Sequence, residues 1–239
     1  MGLQDRYTAF QRLADQVFGS RCIVCSGLGI GNGLDICPSC YRHLPWNRLP
    51  CRRCASPVAT SGETCARCRE SAEPITTVRA PWLFEPPIDH LIRQLKFHGS
   101  LANGRLLGGL LARTLQRGGA RADIVIPTPL HRRRLRERGF NQALELARPV
   151  AHQLAIPLCT GIVKRSRYTS MQSRLSGQER ARNIPGAFVC NADLRGKRVA
   201  VVDDVATTLA TSEAIADCLV KAGCASVELW VVARTSSPD

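Results

Sequence analysis

The sequence predicts an α/β fold with a parallel sheet, preceded by a small cysteine-rich module. From residue 76 onward, apolar strand-like runs alternate with amphipathic helical stretches, a pattern that requires crossover connections and covers a parallel sheet on both faces. Between residues 22 and 68 the cysteines fall into four CxxC pairs. At 199–211, "VAVVDDVATTLAT" carries a continuous apolar run into two aspartates and then a loop of mostly small and hydroxyl residues. With 239 residues the chain can bury one sizeable core beside a small extra module.

In chain order, residues 1–20 place Leu3, Tyr7, Phe10, Leu13, Ala14 and Val17 at helical spacing, so a short amphipathic helix is expected there. Asp5, Arg6, Arg12 and Asp15 interrupt any apolar centre of the kind a secretory signal needs. No apolar run approaches the roughly 18 residues of a membrane helix, and the expected compartment is the cytoplasm. Residues 21–70 form the cysteine module: Cys22 and Cys25, Cys37 and Cys40, Cys51 and Cys54, Cys65 and Cys68. A two-residue gap lets both thiolates of a knuckle face one centre, and two knuckles complete a tetrahedral zinc site with four cysteine ligands. Large apolar residues are few in this stretch, so metal must supply most of its folding energy. The module reads as two structural zinc ribbons, the first four cysteines and the last four, with interleaved pairing open at this point. Closed sites of this kind leave no ligand position for catalysis. Cys159, Cys190, Cys218 and Cys224 lack the spacing and read as small buried hydrophobes.

Residues 71–239 form the larger domain. "TTVRAPWLF" (76–84) reads as a strand. "PPIDHLIRQLKFHGS" (86–100) opens with proline, repeats Ile88, Leu91, Ile92 and Leu95, and stops at Gly99, as a helix does. "LANGRLLGGLLARTLQR" (101–117) is a second helix, weakened by its glycines. "ADIVIPTPL" is a strand ending in prolines, "FNQALELARPVAHQLA" a helix, and "LCTGIVKR" a strand followed by a long polar stretch. "GKRVAVVDD", "TSEAIADCLVKAG" and "CASVELWVVAR" complete the alternation as strand, helix and strand.

The net charge is +14, from 33 Lys and Arg against 19 Asp and Glu, and it is unevenly placed. "HRRRLRER" (131–138) contributes +4 and residues 164–182 contribute +5. Such concentration suits a polyanion, either the phosphates of a small ligand or a nucleic-acid backbone. Arg132, Arg133 and Arg134 are the candidate nucleic-acid contacts; a solvated basic face is the alternative.

Sheets of this class bind ligands beyond the carboxyl ends of their strands. Asp203 and Asp204 stand at that edge, after a strand expected over Val199–Val202 and before a helix expected from near Thr211. The loop ends at a helix N-terminus, where free N–H groups and the helix dipole bind phosphate; Thr207, Thr208 and Thr211 add hydroxyl donors. Two adjacent carboxylates match the vicinal hydroxyls of a ribose. The loop therefore reads as a ribose 5-phosphate cradle.

These segments resemble a known family. "VAVVDDVATTLAT" is similar to the phosphoribosyl-pyrophosphate (PRPP) motif of type I phosphoribosyltransferases. With the double ribbon, "LIRQLKFHGS", "IPTPLHRRRLRERGFNQALELA" and "TSMQSRLSGQERARNIPGAF", the resemblance narrows to the ComF competence-protein family over nearly the whole chain. It implies a type I phosphoribosyltransferase fold. By resemblance, Asp203 and Asp204 hold the ribose diol, and Ala206, Thr207, Thr208, Leu209, Ala210 and Thr211 form the phosphate loop. Pro127, Thr128, Pro129 and Leu130 correspond to the pyrophosphate loop, and Arg167, Thr169 and Gln172 to the mobile loop. Mg²⁺ accompanies PRPP in that family. Leu209 departs from the pattern, which has glycine there; it predicts either a different loop path or weaker phosphate binding.

Two functions follow from the resemblance. One is Mg²⁺-dependent transfer of a phosphoribosyl group from PRPP to a nitrogen nucleophile. The other is a non-catalytic module, binding single-stranded DNA or regulating DNA-uptake proteins, in natural transformation.

Overall fold

The computed structural model describes residues 21–28, 34–70, 74–165 and 186–236. The chain divides into two compact units, Met1–Leu44 and Pro45–Asp239. The helix expected over residues 1–20 lies outside the described residues. In the first unit, the turn at Cys22–Cys25 faces a short helix α1 (Pro38–Arg42) that Cys37 caps, its sulfur accepting from the Cys40 N–H. The Ile23 N–H donates to the Asp35 carbonyl at 2.9 Å and holds the two halves together.

The second unit opens with the Cys51–Cys68 segment and its short helix α2 (Ala66–Glu70). The expected strand at 76–84 is broken at Ala80–Pro81 into β1 (Thr77–Arg79) and β2 (Trp82–Leu83). Next come α3 (Ile88–His98), α4 (Leu101–Arg117), β3 (Ile124–Pro127), α5 (Arg132–Arg138) and α6 (Gln142–Leu154). β4 (Val163–Arg165) and β5 (Phe188–Cys190) form a separate antiparallel pair. β6 (Arg198–Ala206), α7 (Ala210–Lys221) and β7 (Ser226–Arg234) close the chain. The main sheet runs β1-β7-β6-β3, with β2 also on β7, and every pairing in it is parallel. Among the described residues no helix is long and apolar enough to cross a membrane.

Strand alternation divides the core. Val199, Val201, Val227, Leu229 and Val231 share one hydrophobic cluster with Ile215, Ala216 and Leu219 of α7. Cys51, Cys54, Ala55 and Cys68 belong to that same cluster, so the second cysteine segment is built into the core of its unit. Behind the sheet, α4 and α6 pack on each other through glycine. A Cβ at Gly108 would lie 2.4 Å from Pro149 Cγ and 2.8 Å from the Leu146 carbonyl. The glycine that lowers the helix propensity of α4 is what lets the two helices touch.

β6 is longer than the sequence indicates. It stays paired with β7 through Asp203, Val205 and Ala206, whereas its pairing with β3 stops at Val202 opposite Pro127. The two aspartates thus project past the end of β3 while their backbone is still held in the sheet. Asp203 and Val205 pair with β7 on either side of Asp204, and the N–H groups of Asp204 and Val205 donate to Asp203 Oδ1 and Asp204 Oδ1 at 2.8 and 2.7 Å, which holds the carboxylates against the strand.

Candidate functional site

The cysteines pair sequentially. The sulfurs of Cys22, Cys25, Cys37 and Cys40 lie within 4.8 Å of one another, and so do those of Cys51, Cys54, Cys65 and Cys68. Cys25 and Cys37 sulfurs are 3.7 Å apart and those of Cys54 and Cys65 3.6 Å, close to the roughly 3.8 Å edge of a tetrahedron with Zn–S bonds near 2.3 Å. Backbone N–H groups point at sulfur, from Cys40 to Cys37 and from Cys65 to Cys51, both at 3.3 Å. Each leading knuckle turns through a left-handed residue after its second cysteine, Ser26 and Ala55. The donor set and geometry fit two structural zinc ions.

The aspartate pair lies in a cationic surround. Asp204 is 3% exposed, and its Oδ2 lies 2.8 Å from Lys96 Nζ near the end of α3. That oxygen has no aligned hydrogen bond among the described residues. Asp203 Oδ1 accepts from the Asp204 N–H at 2.8 Å. Burial, then the charge of Asp204, pushes the Asp203 carboxyl up to about 7; Lys96 acts in the opposite direction. Arg138, at the end of α5, also feels Asp204. Its own burial and then the charge of Arg134 push its guanidinium below the ordinary value, against the pull of Asp204. Its guanidinium stacks over Phe97 at 5.5 Å and donates to Gln142 Oε1 at 3.0 Å. Lys96 and Arg138 thus bring positive charge to the acidic pair from two helices.

Pro127 to Leu130 lie beside it. The Thr128 N–H donates to the Val202 carbonyl at 2.9 Å, and Asn141, which caps α6, donates to the Thr128 carbonyl at 3.0 Å. The buried Thr128 hydroxyl has no aligned hydrogen bond among the described residues. These contacts fix the end of β3 against the end of β6.

The loop from Thr207 runs into α7 with Leu209 as N-cap residue, at φ 67° and ψ −9°. The backbone thus takes a left-handed conformation of the kind glycine adopts freely. The leucine side chain is 4% exposed and belongs to the core cluster of α7 and the second cysteine segment. It turns inward instead of shading the loop. Leucine cannot cap, and among the described residues no side chain caps this helix, so the first-turn amides of Ala210, Thr211 and Ser212 have no intrahelical acceptor.

Of the other residues singled out, His131 caps α5, its Nδ1 accepting from the Arg133 N–H at 3.2 Å. Arg132 and Arg133 are exposed, and Arg133 pairs with Glu137 at 3.0 Å. Arg167, Thr169 and Gln172 lie outside the described residues. Lys96 and Arg138 escape a sequence reading because each reaches the pair from its own helix. The "LKFHG" end of α3 gives the one signal for Lys96, where a cation follows an apolar face straight to a helix stop.

Two domain families match the sequence: the double zinc ribbon domain over residues 13–75 and the phosphoribosyl transferase domain over residues 141–238. DNA utilization protein YhgH of Escherichia coli (strain K12) is 34% identical over 206 residues, 84% of this chain and 90% of that protein. Competence protein F of Haemophilus influenzae is 32% identical over 229 residues, 91% of this chain and 98% of that protein. Among solved structures, glutamine PRPP amidotransferase from B. subtilis, complexed with ADP and GMP, is 25% identical with a TM-score of 0.36. The match covers 55% of this chain and 25% of that one.

Proposed function

As the chain belongs to the ComF family, with a double zinc ribbon and a phosphoribosyltransferase domain, we propose that it binds PRPP at the carboxyl end of β6 in the service of DNA uptake and use. One observation carries this reading. A carboxylate pair held in a strand is followed within a few residues by a left-handed turn and an uncapped helix N-terminus. The pair accepts the ribose 2′ and 3′ hydroxyls, and the loop amides with Thr207, Thr208 and Thr211 take the 5′-phosphate. Lys96 and Arg138 face the side where pyrophosphate would lie, beside Thr128, and Arg167, Thr169 and Gln172 are assigned to closing over it. In this reading a magnesium ion arrives with PRPP at the acidic end of β6, and Lys96 gives up Asp204 Oδ2 to make room for it. When bound it would neutralise pyrophosphate charge.

With a nitrogen nucleophile present, the chemistry is substitution at C1′: the C1′–N bond forms as the C1′–O bond breaks, and pyrophosphate leaves with the electron pair. The chain's own residues orient the ribose and stabilise the leaving charge, and no covalent enzyme intermediate is needed. The compartment proposed is the cytoplasm, where thiols stay reduced for zinc.

The exposed arginines of α5 favour a second reading, a surface that tracks single-stranded DNA. Parallel titrations separate the two. The zinc-loaded chain is titrated with PRPP and Mg²⁺ by calorimetry, and with a labelled DNA oligonucleotide at several salt concentrations. PRPP binding with no salt-dependent DNA affinity supports the first reading alone. DNA binding without PRPP binding makes the fold a DNA-binding scaffold. In that case neutralising Arg132, Arg133 and Arg134 together should flatten the salt dependence, by about one slope unit per lost phosphate contact.

A further inference from the structure

Three consecutive residues of the phosphate loop are fastened to the second cysteine tetrad. The Arg234 side chain, in a residue 1% exposed, ends β7 and sits between them. Its Nε donates to the Cys54 carbonyl at 3.1 Å and its Nη2 to Ser56 Oγ at 2.8 Å. Its Nη1 donates to the Ala206 carbonyl at 2.8 Å and to the Thr207 carbonyl. Arg67, between the ligands Cys65 and Cys68, donates from Nη1 to the Thr208 carbonyl at 3.0 Å. Its Nη2 meets Glu213 Oε1 in the first turn of α7 at 2.6 Å. Leu209 completes the set by packing into the cluster that holds Cys51, Cys54 and Cys68.

The direction of these bonds matters. In a trans peptide the carbonyl oxygen and the following N–H point opposite ways. Drawing the carbonyls of residues 206, 207 and 208 toward the tetrad turns the N–H groups of 207, 208 and 209 away from it, toward the loop's open side. The two arginines thus aim the amides that the proposed phosphate needs. They depend in turn on the tetrad. The Cys54 carbonyl that Arg234 holds belongs to one of the four ligand residues. A zinc ion with four thiolates also carries net negative charge beside a buried guanidinium that has no carboxylate partner among the described residues.

We propose that the metal-loaded second tetrad sets the conformation of the 207–211 loop, with Arg234 and Arg67 as the positioning residues that join them, so that ligand binding and zinc binding at Cys51, Cys54, Cys65 and Cys68 are coupled. The ligand side of this coupling rests on the PRPP reading; the effect of metal on the loop does not.

The test uses the full chain. Cys65→Ser removes a ligand from the second tetrad and Cys25→Ser one from the first. Hydrogen exchange at the amides of residues 207–213 should quicken roughly tenfold in Cys65→Ser and stay at the wild-type rate in Cys25→Ser. Arg67→Gln should quicken exchange similarly while keeping both zinc ions by elemental analysis, which decides the matter if Cys65→Ser fails to fold. Coupling is reciprocal. PRPP should therefore tighten zinc at the second tetrad against a competing chelator about as much as zinc tightens PRPP, and Arg67→Gln should abolish that effect, which a merely structural contact would not do. Equal loop exchange in the two cysteine variants, or wild-type exchange in Arg67→Gln, overturns the proposal. If the zinc-loaded wild type binds no PRPP, the ligand reading falls, and the exchange measurements still decide whether the tetrad sets the loop.

Discussion

Asp203 is the residue whose ionisation the fold resists. Its folded pKa of about 7 stands well above the ordinary 3.8, first through burial and then through Asp204. A carboxyl raised in this way contributes stability that is full below the unfolded pKa and is lost as pH rises through the folded one. Asp203→Asn removes this loss. The unfolding temperature of the variant should therefore gain on wild type between pH 4.5 and pH 8, by roughly 6–12 °C at the upper end, the scale of about 3 kcal/mol in a chain of this length. A gap independent of pH would show that Asp203 titrates normally. The same substitution discards an acceptor of the proposed diol site, so stability and ligand affinity should move in opposite directions.

At the scale of elements, the junction of β6 and α7 shows what leucine does in a glycine position. A left-handed leucine costs about 1–2 kcal/mol, and burying its side chain contributes about 1.5–3 kcal/mol. Burial outweighs strain, so Leu209→Gly should lose about 1 kcal/mol of stability in urea titration and should not bind PRPP more tightly. Tighter binding would mean that strain reaches the ligand after all. Elements with an apolar period were legible in the sequence. α4 spans the expected 101–117 without correction, and the strands fall inside or close to the expected runs except β5 (Phe188–Cys190), which lies where none was expected. α5 was not, because "RRRLRER" has one apolar residue and takes its helical start from the His131 cap. The extension of β6 past Asp204 to Ala206 was hidden for a related reason: its last pairs are set by β7. The aspartates were legible from residue type alone; the left-handed turn was not, because a leucine stands at it. Lys96, Arg138, Arg67 and Arg234 were not, because they reach the site by tertiary packing from separate elements.

At the scale of the whole molecule, the two cysteine tetrads fall in different compact units. The first tetrad lies in the unit Met1–Leu44, and the second lies in the core of Pro45–Asp239. Purified protein should carry about two zinc ions per chain by elemental analysis. Chelation that empties the second tetrad should lower the unfolding temperature of the phosphoribosyltransferase unit by about 5 °C or more, the scale of a few kcal/mol. Loss from the first alone should leave that transition in place. An unchanged transition after complete zinc removal would contradict the shared core.

The central claim is that the carboxylate pair of β6 binds a phosphoribosyl ligand, and calorimetry on one variant tests it most directly. Replacing Asp203 and Asp204 together by Asn keeps their size and removes their charge. With PRPP and Mg²⁺, the zinc-loaded wild type should give a saturable binding heat, and the variant, folded by circular dichroism and still carrying about two zinc ions, should give none. Equal binding by both would place the ligand elsewhere and contradict the account.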